Sequence, residues 1–171
     1  CLLGSINLTK VVNHPFTGKS SIDYDQLRDI ARTATRMLDS IIDTSNFPLP
    51  EQREEALFKR RMGIGITGLG DCLMMSGTKY GSSQAQRITD DIMKAIAVAT
   101  YEESIQMARE FGPCPALETF EARRDFCQSG NMQNMPSRIR DGVMKHGIRN
   151  ALLTSIAPTG TISLYAGNVS S

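Results

Sequence analysis

The chain has 171 residues, 40% of them hydrophobic, and its 19 basic and 18 acidic residues leave a net charge of +1. This interspersed, nearly neutral charge excludes the basic footprint of a protein that binds a nucleic-acid backbone. There is no apolar run near the roughly 18 residues of a membrane span and no charged-then-apolar leader. We therefore expect neither membrane insertion nor secretion, and a cytoplasmic location.

Helices dominate the predicted elements of the first two thirds of the chain. Apolar residues at three- and four-residue steps predict a helix that is capped by Asp23 or Ser21 and ends before Phe47. Residues 51–61 are charged and helix-prone, and the simplest interpretation is a solvated face. Residues 62–66 then predict a short strand.

The chain continues with a predicted helix over residues 67–77. A long helix from Ser83 is predicted to end at Gly112 and Pro113. Shorter helices are predicted over residues 117–126 and 136–145. Residues 151–156 are short, apolar and partly β-branched, which predicts a strand buried on both faces. Strands separated by helices indicate the α/β class, either a barrel or a doubly wound sheet.

A turn follows this last predicted strand, and it is a candidate phosphate-binding site. Pro158 would end the strand, and residues 162–166 would begin a helix. Gly160 would let backbone N–H groups approach an anion at the positive end of that helix, beside three hydroxyl groups. The candidate residues are Ala157, Pro158, Thr159, Gly160, Thr161, Ile162 and Ser163. An ordinary strand–turn–helix connection with a capping threonine is the alternative.

A second glycine pattern, Gly63-Ile-Gly-Ile-Thr-Gly68, fits the fingerprint of dinucleotide-binding folds, with Asp90 or Asp91 at about the right distance. That fingerprint should follow a hydrophobic strand, but here it follows a charged stretch. The two aspartates lie in a helical pattern rather than at a strand end. We interpret the glycines as sites of close packing and keep nicotinamide binding as a minor alternative.

The four cysteines form no Cys-x-x-Cys motif and have no histidine at ligand spacing, so we expect no metal site. We also expect no structural disulfide in a reducing compartment. Cys72 is predicted to pack as a small apolar residue. Asp71, beside it, is a carboxylate that caps or tethers a helix, or has a functional role.

Four segments together resemble the catalytic barrel of ribonucleotide reductases, most closely the class II, adenosylcobalamin-dependent type. They are Cys1-Leu-Leu-Gly-Ser-Ile-Asn-Leu8, Arg60-Arg-Met-Gly-Ile-Gly-Ile-Thr-Gly-Leu-Gly-Asp71, Ala157-Pro-Thr-Gly-Thr-Ile-Ser163 and Ala166-Gly-Asn-Val-Ser-Ser171. They occur in the family's order. Gly70 stands where the family usually has alanine, and Leu2 where it usually has asparagine.

This resemblance implies an α/β fold, part of a ten-stranded α/β barrel, of which residues 1–171 would form a single, helix-rich partial domain. The implied reaction reduces ribonucleotides, most simply the diphosphates, to 2′-deoxyribonucleotides for DNA synthesis. In it, adenosylcobalamin generates a thiyl radical on a cysteine, and a dithiol then supplies two electrons. By position, Cys1 would be one of these two redox-active thiols, with its partner outside this chain, and residues 157–163 would hold the substrate's phosphates.

The resemblance also implies partners: the ribonucleotide substrate, the rest of the enzyme chain, a thioredoxin-type reductant and a homodimer of the full enzyme. The family's Asn-Pro-Cys-Gly-Glu thiyl motif is absent here. We therefore expect a central fragment that is inactive alone, left by truncation or by protein splicing ahead of Cys1. The alternatives are a class I large subunit, a nucleotide-phosphate-binding module without redox chemistry, and a non-catalytic helical interaction domain.

Overall fold

A computed structural model describes residues 2–170 and shows a helix-rich α/β fold. Its strands are β1 (Leu2–Asn7), β2 (Val12–Asn13), β3 (Ser21–Ile22) and β4 (Met62–Thr67). Its helices are α1 (Tyr24–Thr44), α2 (Pro50–Lys59), α3 (Leu69–Met75), α4 (Ser83–Phe111), α5 (Phe120–Cys127), α6 (Gly130–Gln133), α7 (Ser137–His146) and α8 (Gly160–Ala166). Short 3-10 turns lie at Leu8–Val11 and Pro115–Leu117.

The central sheet consists of β1 and β4, which run parallel from the Leu2–Met62 pair to the Asn7–Thr67 pair. One face packs on α1, where a Cβ on Gly4 would lie 3.3 Å from Leu38. Every residue of β4 is buried. Parallel strands need a long crossover connection, and α1 with α2 provides it. The prediction of a strand at residues 62–66 is confirmed.

The strand predicted at residues 151–156 is not regular. This segment runs parallel to β4 through a single bridge between Ile64 and Thr154. Leu152 and Ile156 are 53% and 66% exposed, so the prediction of burial on both faces was wrong for this chain. The reason at Ile156 is geometric: after Thr154 the backbone crosses over the face of β4, and Ser155 lies directly above Gly65.

Within residues 2–170 the strands form two separate two-stranded sheets, β1 with β4 and β2 with β3, and no sheet closes on itself. The α/β class is therefore confirmed, whereas the ten-stranded barrel is not seen in this chain. Closure of a barrel needs further strands beside the edges of β1 and the 151–154 segment.

Helices α1 and α4 form the other layer and pack against each other. Asp23 caps α1 as predicted, because its carboxylate accepts the backbone N–H of Gln26. Helix α4 is the long helix predicted from Ser83, and it ends at Gly112, where φ is +86°. The predicted apolar stripes supply most of the core between the layers; its fully buried side chains include Leu27, Ala31, Ile92, Ile96 and Ala99.

The remaining helices depart from the predictions mainly at their ends. Helix α3 begins at Leu69 rather than residue 67, because Gly68 adopts φ +76° and serves as its N-cap. The 117–126 helix is split into a 3-10 turn and α5, with Thr119 as the new cap. Helix α6 was not predicted. Helix α7 matches the predicted 136–145 segment within one residue at each end.

The first glycines of the dinucleotide-like pattern, Gly63 and Gly65, lie inside β4 rather than in a turn after it. A Cβ on Gly65 would lie 2.2 Å from the carbonyl oxygen of Ser155, and one on Gly63 would lie 2.6 Å from the Ser155 Cβ. The glycines therefore permit close packing, as predicted. The minor alternative of nicotinamide binding was wrong, because its phosphate-binding glycines belong in a strand-to-helix turn.

No helix among residues 2–170 is both long and apolar enough to cross a membrane.

Candidate functional site

The candidate phosphate turn lies where the 151–157 segment leaves the sheet and α8 begins. Thr159, not Gly160, has the left-handed backbone, with φ +53°, and Thr159 is buried. Gly160 is the first residue of α8 and a Cβ there would meet nothing within 4 Å. A non-glycine residue in this conformation is strained, and such strain is often found where a backbone binds a ligand.

The first turn of α8 offers backbone donors. The first N–H to close a helical bond is that of Ser163, which donates to the Thr159 carbonyl at 2.9 Å. The N–H groups of Gly160, Thr161 and Ile162 precede it, and they point out of the amino-terminal end of the helix. These three residues are exposed. An anion could therefore be held by backbone N–H groups and by the helix dipole.

The hydroxyl groups contribute less than the sequence suggested. The Ser163 hydroxyl is buried and donates to the Gly160 carbonyl at 2.8 Å, so it stabilises the first turn of α8 from within. Thr159 is also buried. Thr161 carries the exposed hydroxyl of the three. Of the flanking residues, Pro158 is exposed, and the backbone of half-buried Ala157 passes over Gly65.

The segment after α8 returns to the carboxyl end of β4. Gly68 N–H donates to the Val169 carbonyl at 2.9 Å, and Val169 N–H donates to the Asp71 carboxylate at 2.8 Å. The buried Thr67 hydroxyl donates to Asn168 Oδ1 at 3.1 Å. Asp71 is therefore a tether, one of the roles that the sequence left open for it. The turn, α8 and the tether all lie near the end of the parallel strands where α/β proteins usually bind ligands.

A buried polar cluster precedes the 151–157 segment, and the sequence analysis missed it. Arg60 is 3% exposed; its guanidinium donates to Asp39 Oδ1 and Asp43 Oδ1, both at 2.8 Å. Asn150 Nδ2 donates to Asp39 Oδ1 at 2.8 Å, and the Asn150 N–H donates to the Ser104 hydroxyl at 3.0 Å. These bonds fix the chain at the start of the segment that leads to the turn.

The solvated face predicted for residues 51–61 was therefore wrong at Arg60. Arg60 has a left-handed backbone with φ +46°, which ends α2 and turns its side chain toward α1. Two aspartates four residues apart on α1, Asp39 and Asp43, hold the guanidinium. Asp39 lies on the apolar face of α1, which was a sequence signal of a buried carboxylate, but the sequence did not identify Arg60 as its partner.

The redox prediction falls on Cys1, which lies outside the described residues. The other cysteines are free and buried. Burial raises the pKa of the Cys72 thiol to about 11, and it also raises the pKa of Cys114 and of Cys127. These thiols are therefore protonated at neutral pH and poor nucleophiles. Among residues 2–170, no three His, Cys, Asp or Glu side chains are grouped to hold a metal ion.

Comparison with known proteins identifies the family. The model of the ribonucleotide reductase barrel domain matches residues 1–171. A vitamin B12-dependent ribonucleoside-diphosphate reductase of Mycobacterium tuberculosis is 37% identical over 167 residues, which cover 98% of this chain and 20% of that protein. The vitamin B12-dependent enzyme of Thermoplasma acidophilum is 36% identical over 171 residues, 100% of this chain and 19% of that protein.

A third relative is the ribonucleoside-diphosphate reductase large chain of Cryptosporidium parvum, 33% identical over 175 residues, which cover 98% of this chain and 21% of that protein. The chain thus spans about a fifth of the length of the curated relatives it matches. The match to the family model over all residues and the identity with these reductases agree with the four sequence segments. The chain belongs to the ribonucleotide reductase barrel-domain family.

Proposed function

We propose that this chain is a central part of the α subunit of a class II ribonucleotide reductase, which reduces ribonucleoside diphosphates to 2′-deoxyribonucleotides. Support comes from the family and from the two relatives whose names include vitamin B12. The structural observation that carries the proposal is the turn before α8. There Thr159 has a left-handed backbone, and the first three residues of α8, whose N–H groups precede the first helical bond, are exposed, with open space at Gly160.

In this proposal the turn binds the substrate's phosphates. Bound phosphates would fix the ribose relative to the reacting thiols, and such orientation accounts for a large part of catalytic rate enhancement. Backbone donors suit this task, because they are rigid and cost little reorganisation when the anion binds. Residues 157–163 would thus contribute binding and orientation rather than bond chemistry.

Cys1 is proposed as one of the two reducing thiols. The thiols would lose two protons and two electrons and form a disulfide, while the 2′-hydroxyl leaves as water and a hydrogen replaces it on carbon 2′. In the full-length protein, Cys1→Ser should abolish multiple turnover and leave substrate affinity unchanged, because serine cannot form the disulfide. Sustained turnover by this variant would remove Cys1 from the reaction.

The wider assembly is also part of the proposal. Residues 1–171 would form a single partial domain of a ten-stranded barrel, with the other strands supplied by the rest of the enzyme chain. A thioredoxin-type reductant would reopen the disulfide, and the full enzyme would be a cytoplasmic homodimer. Adenosylcobalamin is proposed as the cofactor because the names of two relatives include vitamin B12. Residues 2–170 form no site that we can assign to it, so we derive no step through it.

A class I large subunit is the alternative. The observation in its favour is the 33% identity with the C. parvum large chain, whose name does not include the vitamin. Assay of the full-length protein with and without adenosylcobalamin separates the two. Deoxynucleotide formation that requires the added cofactor supports class II, and formation without it supports the alternative.

The phosphate turn is tested by Gly160→Val in the full-length protein. Gly130 is the matched control, because it is also the first residue of a short helix with nothing within 4 Å of an added Cβ. A side chain at residue 160 would occupy the anion's space, so we expect the substrate Kd to rise about tenfold or more, the equivalent of one lost hydrogen bond to a charged group.

Gly130→Val should leave the Kd unchanged, and both variants should have similar melting temperatures. Calorimetric titration with a ribonucleoside diphosphate measures the affinity. An unchanged Kd in Gly160→Val would remove the phosphate turn from the proposal.

A further inference from the structure

Helix α8 cannot be stable by itself. It has seven residues, of which only Ser163 is buried, and isolated helices shorter than roughly 12–15 residues are marginal in water. Leu164 and Tyr165 on its surface are 82% and 97% exposed. The position of α8 must therefore come from the segments at its two ends.

The carboxyl-terminal end is anchored by both backbone groups of Val169. Its carbonyl accepts from Gly68 N–H at 2.9 Å, and its N–H donates to Asp71 Oδ2 at 2.8 Å. The connection to the helix is short, since Asn168 N–H donates to the Ser163 carbonyl at 3.1 Å. Ser163 in turn closes the first turn of α8 through the Gly160 carbonyl.

Two side chains take part in the anchor. The Thr67 hydroxyl lies 3.1 Å from Asn168 Oδ1 and 3.3 Å from the Val169 carbonyl oxygen, and the Asp71 carboxylate accepts the Val169 N–H. Gly68, with φ +76°, brings its backbone close to Asn168, and Asp71 follows in the first turn of α3. The Asp71 carboxylate is the one charged acceptor in this set, and hydrogen bonds to charged groups are the stronger ones. Its loss would leave the Val169 N–H without this partner.

We propose that Asp71 is a positioning residue that holds α8, and with it the phosphate turn, against the carboxyl end of β4. This inference rests on the proposed function, in which the first turn of α8 binds the substrate's phosphates. Asp71 does not touch the substrate. It acts through Val169 and Ser163. Val169 lies eight residues along the chain from Thr161.

The test compares Asp71→Ala, which removes the acceptor, with Asp71→Asn, which keeps an amide oxygen in the same place. Asp25→Ala is the matched control, because Asp25 is likewise an acidic residue in the first turn of a helix, and its side chain pairs with exposed Arg28. All three are made in the full-length protein. Hydrogen exchange of the amides of α8, α1 and α4 is measured together with KM and kcat.

For Asp71→Ala we expect amide exchange in α8 and at Val169 to accelerate about tenfold, with exchange in α1 and α4 unchanged. The substrate KM should rise about tenfold and kcat should stay within about twofold, because the lost contact acts on binding. Asp71→Asn should be impaired less than Asp71→Ala, because its amide oxygen still accepts the Val169 N–H, although without the charge. Asp25→Ala should change none of these quantities.

Unchanged exchange in α8 of Asp71→Ala would overturn the anchor, whatever KM does. Exchange that rises equally in α1 and α4 would also overturn it, because Asp71 would then stabilise the whole domain. An Asp71→Asn variant as impaired as Asp71→Ala would show that the acceptor is not what matters. Faster exchange confined to α8 with an unchanged KM would support the anchor and contradict the phosphate turn instead.

Discussion

Burial determines the chemistry of single residues in this chain, and Cys72 illustrates it. Its side chain is fully buried on α3, and the nearby Ser76 hydroxyl donates to its carbonyl. Removing the thiol from water disfavours the thiolate, which is why its pKa rises to about 11. The sequence predicted a packing role for Cys72, and its burial confirms that role.

The raised pKa makes stability depend on pH. In the unfolded chain the Cys72 thiol ionises near its ordinary value of about 9, whereas the folded chain holds the proton up to about pH 11. Between these values the folded state binds more protons, so this thiol's contribution to stability falls as pH rises, by at most about 1.4 kcal/mol per pH unit.

We expect urea unfolding of the wild type to show a steeper loss of stability between pH 9 and 11 than unfolding of Cys72→Ala. Parallel curves for the two proteins would show that the Cys72 thiol ionises as freely in the folded chain as in the unfolded one. The difference between the two proteins is the informative quantity, because every other ionisable group is common to both.

At the scale of elements, the packing of the 151–157 segment on β4 depends on Gly65. The Ser155 carbonyl oxygen occupies the space that a Cβ would need, and backbone cannot move as a flexible side chain does. Gly65→Ala should therefore lower the free energy of unfolding by about 1–3 kcal/mol or more and displace the segment from β4.

Gly18→Ala is the control for this substitution, because a Cβ on Gly18 would meet nothing within 4 Å. It should change stability by less than about 0.5 kcal/mol. Thermal unfolding of both variants measures the effect. If Gly65→Ala has the same melting temperature as the wild type, the Ser155 backbone does not lie as close to Gly65 as described.

At the scale of the whole molecule, the cluster around Asp39 ties separate parts of the fold together. Asp39 lies on α1, Arg60 between α2 and β4, and Asn150 after α7, while Ser104 brings in α4. Asp39 and Arg60 are each 3% exposed. Both charges have lost their hydration, so each depends on the other for compensation.

Asp39→Ala would leave the Arg60 guanidinium buried with half of its carboxylate partners removed. We expect it to lower the free energy of unfolding by about 3–5 kcal/mol in urea denaturation. Asp39→Ala with Arg60→Met should recover part of this loss, because Arg60 is then no longer a buried charge, whereas Arg149, which lies 3.4 Å from Asp39 Oδ2 and is 16% exposed, still loses that partner. Asp29→Ala, in an exposed pair with Arg32, should cost less than about 1 kcal/mol.

A full loss in the double variant would show that the cluster stabilises the fold by something other than the pairing of its charges. An Asp39→Ala variant as stable as Asp29→Ala would show that the buried pair stabilises the fold no more than an exposed one.

The sequence by itself determined the features that depend on neighbours along the chain. Helix α1 with its Asp23 cap, α4 with its Gly112 end and β4 follow from periodicity and capping, which are local effects. The four family segments identified the barrel family before any geometry was known. The candidate turn was located in the same way, from a proline, a glycine and the expected helix.

Only the tertiary structure decided what those residues contact. It placed the strain on Thr159 rather than Gly160, buried the Ser163 hydroxyl and turned Arg60 inward to Asp39. It also joined Asp71 to Val169, 98 residues apart in the chain. The physical reason is that burial and hydrogen bonding between distant segments depend on where the backbone crosses itself, and local sequence patterns carry no record of those crossings.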